Sequence, residues 1–336
     1  MGAALVAVAP FRWQDGERLI VFGRGTLAGA GDLLERGYAL LTTPRASVGA
    51  EELIQRASAV HEVPAGRVDE IAGELRPRVE GDLLVALGGG RVIDVAKALA
   101  AADPPRRVAA IPTTLSGAEM TGGHRHARGV PMGTPGVRPV IVINDPALSA
   151  SAPVPKLAES GGNALGHAIE GPATPLSNPV AALAALEATR LIADGFASGD
   201  PDEQSRDALA LGALLAGYVI GSTGYGLHHI VSQTLARFAG VGHGPANTIM
   251  LPLTARALAA RAPAWSARLE QAIGTEPAVL AERLRELSGV TRLRDAGMVE
   301  EQIELCADEA SHRPELAMTP PPADLEELRE LYRAAY

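Results

Sequence analysis

Short apolar runs alternate with helix-period segments along the first half of the chain. RLIVFG (18–23), YALLTT (38–43), GDLLVALGGG (81–90), RVAAIPTT (107–114) and RPVIVIND (138–145) read as strands, bounded by glycine, proline or polar clusters. Between them TLAGAGDLLERG, the stretch 51–60 and RVIDVAKALAAA carry helical spacing. Strands alternating with helices predict a mostly parallel sheet. After SASAPVPK (149–156) the strand-like runs vanish and helical patterns take over, at 178–197, 203–220, 226–238, 262–273, 276–287, 298–310 and 323–334. The pattern therefore predicts an α/β domain over 1–150 and an all-helical domain over 151–336. A cleft between two such domains is the expected place for a ligand.

One stretch tests that division. No residue from Ala208 to Leu227 is charged, and twenty such residues have the length to span a bilayer. The run holds five glycines and leads into His228 and His229, so a buried helix of a helical domain is expected. The N-terminus MGAALVAVAPFRW has no basic segment and only a short apolar run, which argues against a signal peptide. Val6 occupies the position where a myristoylation motif needs Ser or Thr.

Composition narrows the function classes. At 336 residues the chain is long enough for two cores, and with 3% aromatics those cores must be built from Ala, Val, Leu and Ile. A net charge of −9 argues against a nucleic-acid partner, which needs a basic face. Cys306 is the only cysteine, so no intrachain disulfide forms and a reducing, cytoplasmic setting is expected.

Two glycine clusters follow strands. FGRGTLA (22–28) fits the G-x-G-x-x-A spacing, but no acidic residue follows the next strand, and a tight turn is the expected role. GGGRVIDVAK (88–97) carries more. Gly88, Gly89 and Gly90 let backbone approach a ligand, and the following helix offers unpaired N–H groups to a phosphate. Asp94 and Lys97 lie in the first turns of that helix, and PTTLSGAEMT (112–121) brings Thr113 and Thr114 beside the same place. HRHAR (124–128) is a basic run on an acidic chain, readable as a lure for an anionic substrate or as a solvated loop.

In NALGHAIE (163–170), Asn163 and His167 are four apart and share one helix face. His229 and Gln233 do the same in GLHHIVSQ, His228 points a quarter-turn away, and His243 follows in a glycine-rich loop. Three imidazoles and one amide are placed to converge on a metal ion or on a substrate anion.

At these residues the sequence resembles the iron-containing alcohol dehydrogenase superfamily, and within it the maleylacetate reductases. VFGRGTL, TTPRAS, GGGRVIDVAKALA, IPTTLSGAEMT, INDPAL, GGNALGHAIEG, GLHH and HGPANTIMLP follow that family's order and spacing. The resemblance implies a Rossmann-like dinucleotide-binding domain, an all-helical catalytic domain and a homodimer. It implies NAD(P)H bound by Gly88, Gly89, Gly90, Thr113 and Thr114, and near Thr43. Metal-dependent members hold iron or zinc with an Asp and three His, positions occupied here by Asn163, His167, His229 and His243. An Asn in the Asp position is shared with the maleylacetate reductases.

This chain departs from the wider family at several points. Gln233 replaces a histidine associated with proton relay, Arg91 follows the three glycines where Ser is common, and 122–139 lacks the usual lysine. Neutral Asn163 leaves a divalent ion at +2 and is a poorer donor than a carboxylate, which lowers affinity by roughly 10–100-fold. Three imidazoles alone nevertheless hold zinc in some catalytic sites. The expected activity is NAD(P)H-dependent reduction of an unsaturated or keto acid, with His167, His229, His243 and Asn163 on an anionic carboxylate substrate. A metal-dependent alcohol dehydrogenase, a non-redox lyase or cyclase on the same fold, and a non-catalytic nucleotide sensor stay open. NADH and NADPH are not distinguished, since Pro44 and Arg45 follow the second strand in place of an acid.

Overall fold

The computed structural model describes residues 7–336. The expectations of no signal peptide and no myristoylation rest partly on residues outside that range. The chain divides after Ser151 into two compact units.

The first unit opens with a hairpin, of which only the second strand falls in the apolar run 18–23. β1 (Phe11–Asp15) and β2 (Arg18–Phe22) pair antiparallel, Asp15 opposite Arg18. Gly16, at φ 60°, supplies the left-handed conformation that a two-residue turn needs. There follow α1 (Ala30–Leu33), β3 (Ala39–Thr42), α2 (Glu51–Arg56), β4 (Ala59–Glu62), α3 (Val68–Leu75), β5 (Leu83–Gly88), α4 (Gly90–Ala102), β6 (Arg107–Pro112) and β7 (Ile141–Asn144). The strand order is β1-β2-β7-β6-β5-β3-β4, and every pair beyond the hairpin is parallel. The helical reading of 51–60 holds only as far as Arg56, because Ala59–Glu62 is an edge strand against β3. TLAGAGDLLERG forms a 3-10 turn, Thr26–Gly29, and the single turn α1.

Alternate strand residues build two cores. Ala39, Leu41, Leu84, Ala86, Val108 and Ala110 pack under α3 and α4. Leu40, Val85, Leu87, Ala109, Ile111 and Ile143 face Ala30, Leu34 and Leu53. Helices on both faces of a parallel sheet make this unit doubly wound. β3 leads outward to β4, whereas its neighbour β5 leads the opposite way to β6. That reversal leaves a crevice at the carboxyl ends of β3 and β5, where open α/β sheets bind ligands.

The second unit is helical: α5 (Val154–Glu170), α6 (Pro179–Gly195), α7 (Glu203–Thr223), α8 (Leu227–Thr234), α9 (His243–Arg261), α10 (Pro263–Ile273), α11 (Pro277–Ser288), α12 (Gln302–Ser311) and α13 (Leu325–Ala335). α5 is buried along most of its length, against α6, α7, α9 and α11. Its small residues make this possible. A Cβ at Gly162 would lie 3.2 Å from Thr248 Oγ1, and one at Gly166 only 2.6 Å from His228 Nε2. The segment expected as a glycine-rich loop around His243 is instead the first turn of α9. Proline is tolerated there because first-turn N–H groups have no intrahelical partner. The uncharged run falls in α7 and the start of α8, mostly buried. Among the described residues no single helix is long and apolar enough to cross a membrane, and the α7 and α8 segments meet at a bend of 101°.

Candidate active site

The glycine-floored seat lies in the first unit. Gly88 ends β5, Gly89 caps α4 and Gly90 begins it, with no side-chain cap and no acidic residue in the first turn. The helix therefore presents uncompensated N–H groups and the positive end of its dipole. A Cβ at Gly89 would sit 3.0 Å from Thr114 Cγ2, and one at Gly90 2.9 Å from Ser116 Oγ. Glycine is what keeps this floor flat. Thr113 N–H donates to Gly88 O at 3.0 Å, which fixes the β6 end beside the β5 end. On the other flank, Thr43 Oγ1 accepts from Ala46 N–H at 3.2 Å and holds the turn after β3. The seat fits a dinucleotide, since pyrophosphate binding needs small residues and unpaired donors at a helix start.

The other glycine cluster is closed to phosphate. The N–H groups of Gly25 and Leu27 donate to Asp145 at 3.0 and 3.1 Å, so the chain's own carboxylate fills that turn. Asp94, expected near the cofactor, has Lys97 as its immediate partner at 2.8 Å. Lys97 is fully buried and also donates to Ala118 O and Thr121 Oγ1. Close by, burial pushes Glu119 up to about 7, with Lys97 and Arg18 opposing only in part. The HRHAR run is largely neutralised: Arg125 lies 3.9 Å from Asp69 and Arg128 3.3 Å from Glu70. The solvated-loop reading fits this pairing better than an anion lure.

The histidines gather in the second unit. His167 on α5 and His229 on α8 stack with ring centroids 4.8 Å apart and planes 19° from parallel. Behind His229 stands Glu170, which the spacing of the histidines does not point to. Glu170 is fully buried and accepts from His229 Nδ1 at 2.6 Å and from His228 N–H at 2.6 Å. A carboxylate only accepts, so the His229 proton sits on Nδ1 and its Nε2 presents a lone pair. Burial works to raise the Glu170 pKa but is outweighed by the His229 hydrogen bond and the neighbouring imidazoles, which hold it below the usual carboxylate range. Asn163 Nδ2 lies 3.4 Å from His167 Nε2. His167 Nδ1 and His229 Nε2 are buried with no partner in the chain. Burial, then the like charge of His229, His228 and His243, holds His167 well below the ordinary imidazole value, so its ring is neutral.

His228 is a packing residue. Its Nδ1 lies 2.9 Å from Thr254 Oγ1, and burial lowers its pKa to about 3. His243 sits exposed at the start of α9, close enough to depress the buried rings. Tyr225 rests against the His229 ring at 5.7 Å and belongs to a polar network with Gln233, Arg313 and Glu315. Gln233 is thus a structural member of this wall.

A metal fits this arrangement poorly. Asn163 offers His167 its amide nitrogen rather than offering an oxygen to a shared centre, and His243 is exposed. Among the described residues no group of three or more His, Cys, Asp or Glu is placed to hold an ion. The three histidines of the expected set of Asn163, His167, His229 and His243 are thus not gathered as a metal-binding group among the described residues.

Residues 18–146 match the family model for iron-containing alcohol dehydrogenase, and residues 157–336 match that for the Fe-containing alcohol dehydrogenase family, C-terminal. Maleylacetate reductase 1 of Rhodococcus opacus is 34% identical over 265 residues, spanning 76% of this chain and 73% of the relative. The maleylacetate reductase of Burkholderia cepacia is 33% identical across 94% of this chain and 95% of its own length. The crystal structure of maleylacetate reductase from Agrobacterium tumefaciens superposes with a TM-score of 0.82 at 27% identity, covering 100% and 99% of the two chains. The chain belongs to the iron-containing alcohol dehydrogenase family and is maleylacetate reductase-like within it.

Proposed function

We propose that this oxidoreductase reduces a C=C bond conjugated with a ketone on a dicarboxylate, yielding a β-oxo acid, with NAD(P)H as reductant. One observation supports the reading most: two stacked, buried imidazoles each keep a ring nitrogen without a partner, and a buried carboxylate backs one of them. Native proteins leave few buried polar atoms unpaired, so these nitrogens are suited to a polar ligand.

When bound, the nicotinamide supplies the hydride. Gly88, Gly89 and Gly90, with Thr113 and Thr114, would hold its pyrophosphate, and Thr43 would contact the dinucleotide from the β3 side. Reduction of the conjugated alkene leaves an enolate. Asn163 orients His167, whose Nδ1–H donates to the negative oxygen. His229, protonated at Nε2 and paired with Glu170, gives that proton to the enolate carbon. The enolate electron pair forms the new C–H bond, and Nε2 recovers its lone pair. A proton from solvent recharges the ring. His243, at the helix start of α9, takes a substrate carboxylate, as helix N-termini favour anions. No step passes through a metal. The single buried cysteine suits the reducing cytoplasm in which such an enzyme works.

Fluorescence titration with NADH and NADPH, followed by addition of maleylacetate, tests this reading. Binding followed by nicotinamide oxidation is expected. Failure of both nucleotides to bind overturns it.

A further inference from the structure

The crevice between β3 and β5 carries more positive charge than a pyrophosphate seat requires. β3 and β5 run parallel with Thr42 level with Leu87, so the turns that follow them stand side by side. Three residues past Thr42 stands Arg45, and four past Leu87 stands Arg91, both exposed. The Arg45 guanidinium touches only neutral atoms, Ser151 O at 3.3 Å and Ser151 Oγ at 3.4 Å. Among the described residues no carboxylate lies within ion-pair distance of Arg45 or Arg91. That sets them apart from Arg125 and Arg128 on the same unit, each facing an acid of α3.

Arg91 is also placed where a cation is unfavourable. It occupies the first turn of α4, beside a positive dipole end and with no acid in that turn to offset it. Two unneutralised arginines on a chain of net charge −9, at the rim of one crevice, call for a dianion beyond the pyrophosphate. A dinucleotide with its pyrophosphate on the α4 start lays one ribose over the neighbouring β3 end. An acid there would accept the ribose 2′-hydroxyl, whereas an arginine accommodates a 2′-phosphate. Position 45 and its neighbours Thr42, Thr43 and Pro44 include no acid.

We propose that Arg45 and Arg91 clamp the ribose 2′-phosphate, so that this chain prefers NADPH to NADH. The inference rests on the nicotinamide reading above and selects between the two nucleotides that reading admits.

Equilibrium titration of the whole chain with NADPH, NADH, 2′-AMP and 5′-AMP, followed by nucleotide fluorescence and calorimetry, is the test. NADPH is expected to bind at least roughly 10-fold more tightly than NADH, as suits charge-assisted contacts to a phosphate. The advantage should shrink as salt rises. R45A and R91A should each lower NADPH affinity several-fold and leave NADH affinity nearly unchanged. The double variant should bind the two alike, and 2′-AMP should compete better than 5′-AMP only in the wild type. R128A, which alters an exposed arginine already paired with Glu70, should change neither affinity. Equal affinity of the wild type for NADPH and NADH overturns the inference and leaves the proposed reductase standing. Failure of both to bind overturns the two together.

Discussion

Glu170 sets what His229 can do. A neutral amide at that position still accepts from the His228 N–H, but turns a donor toward His229 Nδ1. Without a carboxylate facing Nδ1, nothing holds the doubly protonated ring whose Nε2 proton the enolate takes. E170Q is therefore predicted to bind nucleotide normally and to lose roughly two to four orders of magnitude in kcat, as for other misdirected imidazoles. Steady-state kinetics beside a nucleotide titration check this, and unimpaired kcat would remove His229 from the proton transfer. A second residue-scale prediction concerns packing. In G166A the new methyl meets His228 Nε2, a ring fixed by Thr254, so the helices must part. A loss of about 1–3 kcal/mol is expected in urea unfolding. Asn163 and His167 were legible because spacing alone places them on one face. Glu170 was open to the same reasoning: it follows His167 by three, and a carboxylate inside an apolar run demands a partner. What spacing could not reveal was that its partners lie on α8, about sixty residues away.

Elements were legible where local chemistry is self-contained. β5 and α4 follow directly from an aliphatic run, three glycines and a clean helical period. β1 was passed over although Asp15-Gly16 between two alternating runs is a hairpin signal. β4 has almost no apolar side to betray it, being mostly exposed at the sheet edge. α9 hides for two reasons: His-Gly-Pro reads as a loop, and Pro252 interrupts a helix buried through its centre. The seat itself yields a prediction at this scale. In G89A the added methyl presses on Thr114 and narrows the floor without straining the backbone, Gly89 having φ −75°. Nucleotide affinity should fall roughly 10-fold while thermal stability changes little. A fall in stability with unchanged affinity would make Gly89 a packing glycine only.

At the scale of the whole molecule, Glu119 is a buried carboxyl outside the proposed chemistry. Glu119 has a folded pKa of about 7 against an ordinary 4.5, because burial penalises its charge. Between those values the folded chain holds a proton that the unfolded chain has released, so this group makes stability fall as pH rises. The loss is complete above about 7. E119Q should match the wild type near pH 4.5 and exceed it above pH 7 by up to about 3 kcal/mol. Urea midpoints across that range decide it, and a constant offset would rule the titration out. The donor geometry around His167 and His229 gives a further expectation: exhaustive chelation should leave turnover unchanged, and a loss restored by iron or zinc would show that a metal assembles there after all.

The central proposal is that the nucleotide seat and the carboxylate-backed imidazole pair serve a single reduction. Single-turnover mixing of NADPH-loaded protein with maleylacetate, run on the wild type and on H229A, tests this most directly. The account predicts rapid nicotinamide oxidation in the wild type and little in H229A at equal nucleotide occupancy. Equal oxidation rates in the two proteins, or none in a fully loaded wild type, would contradict it.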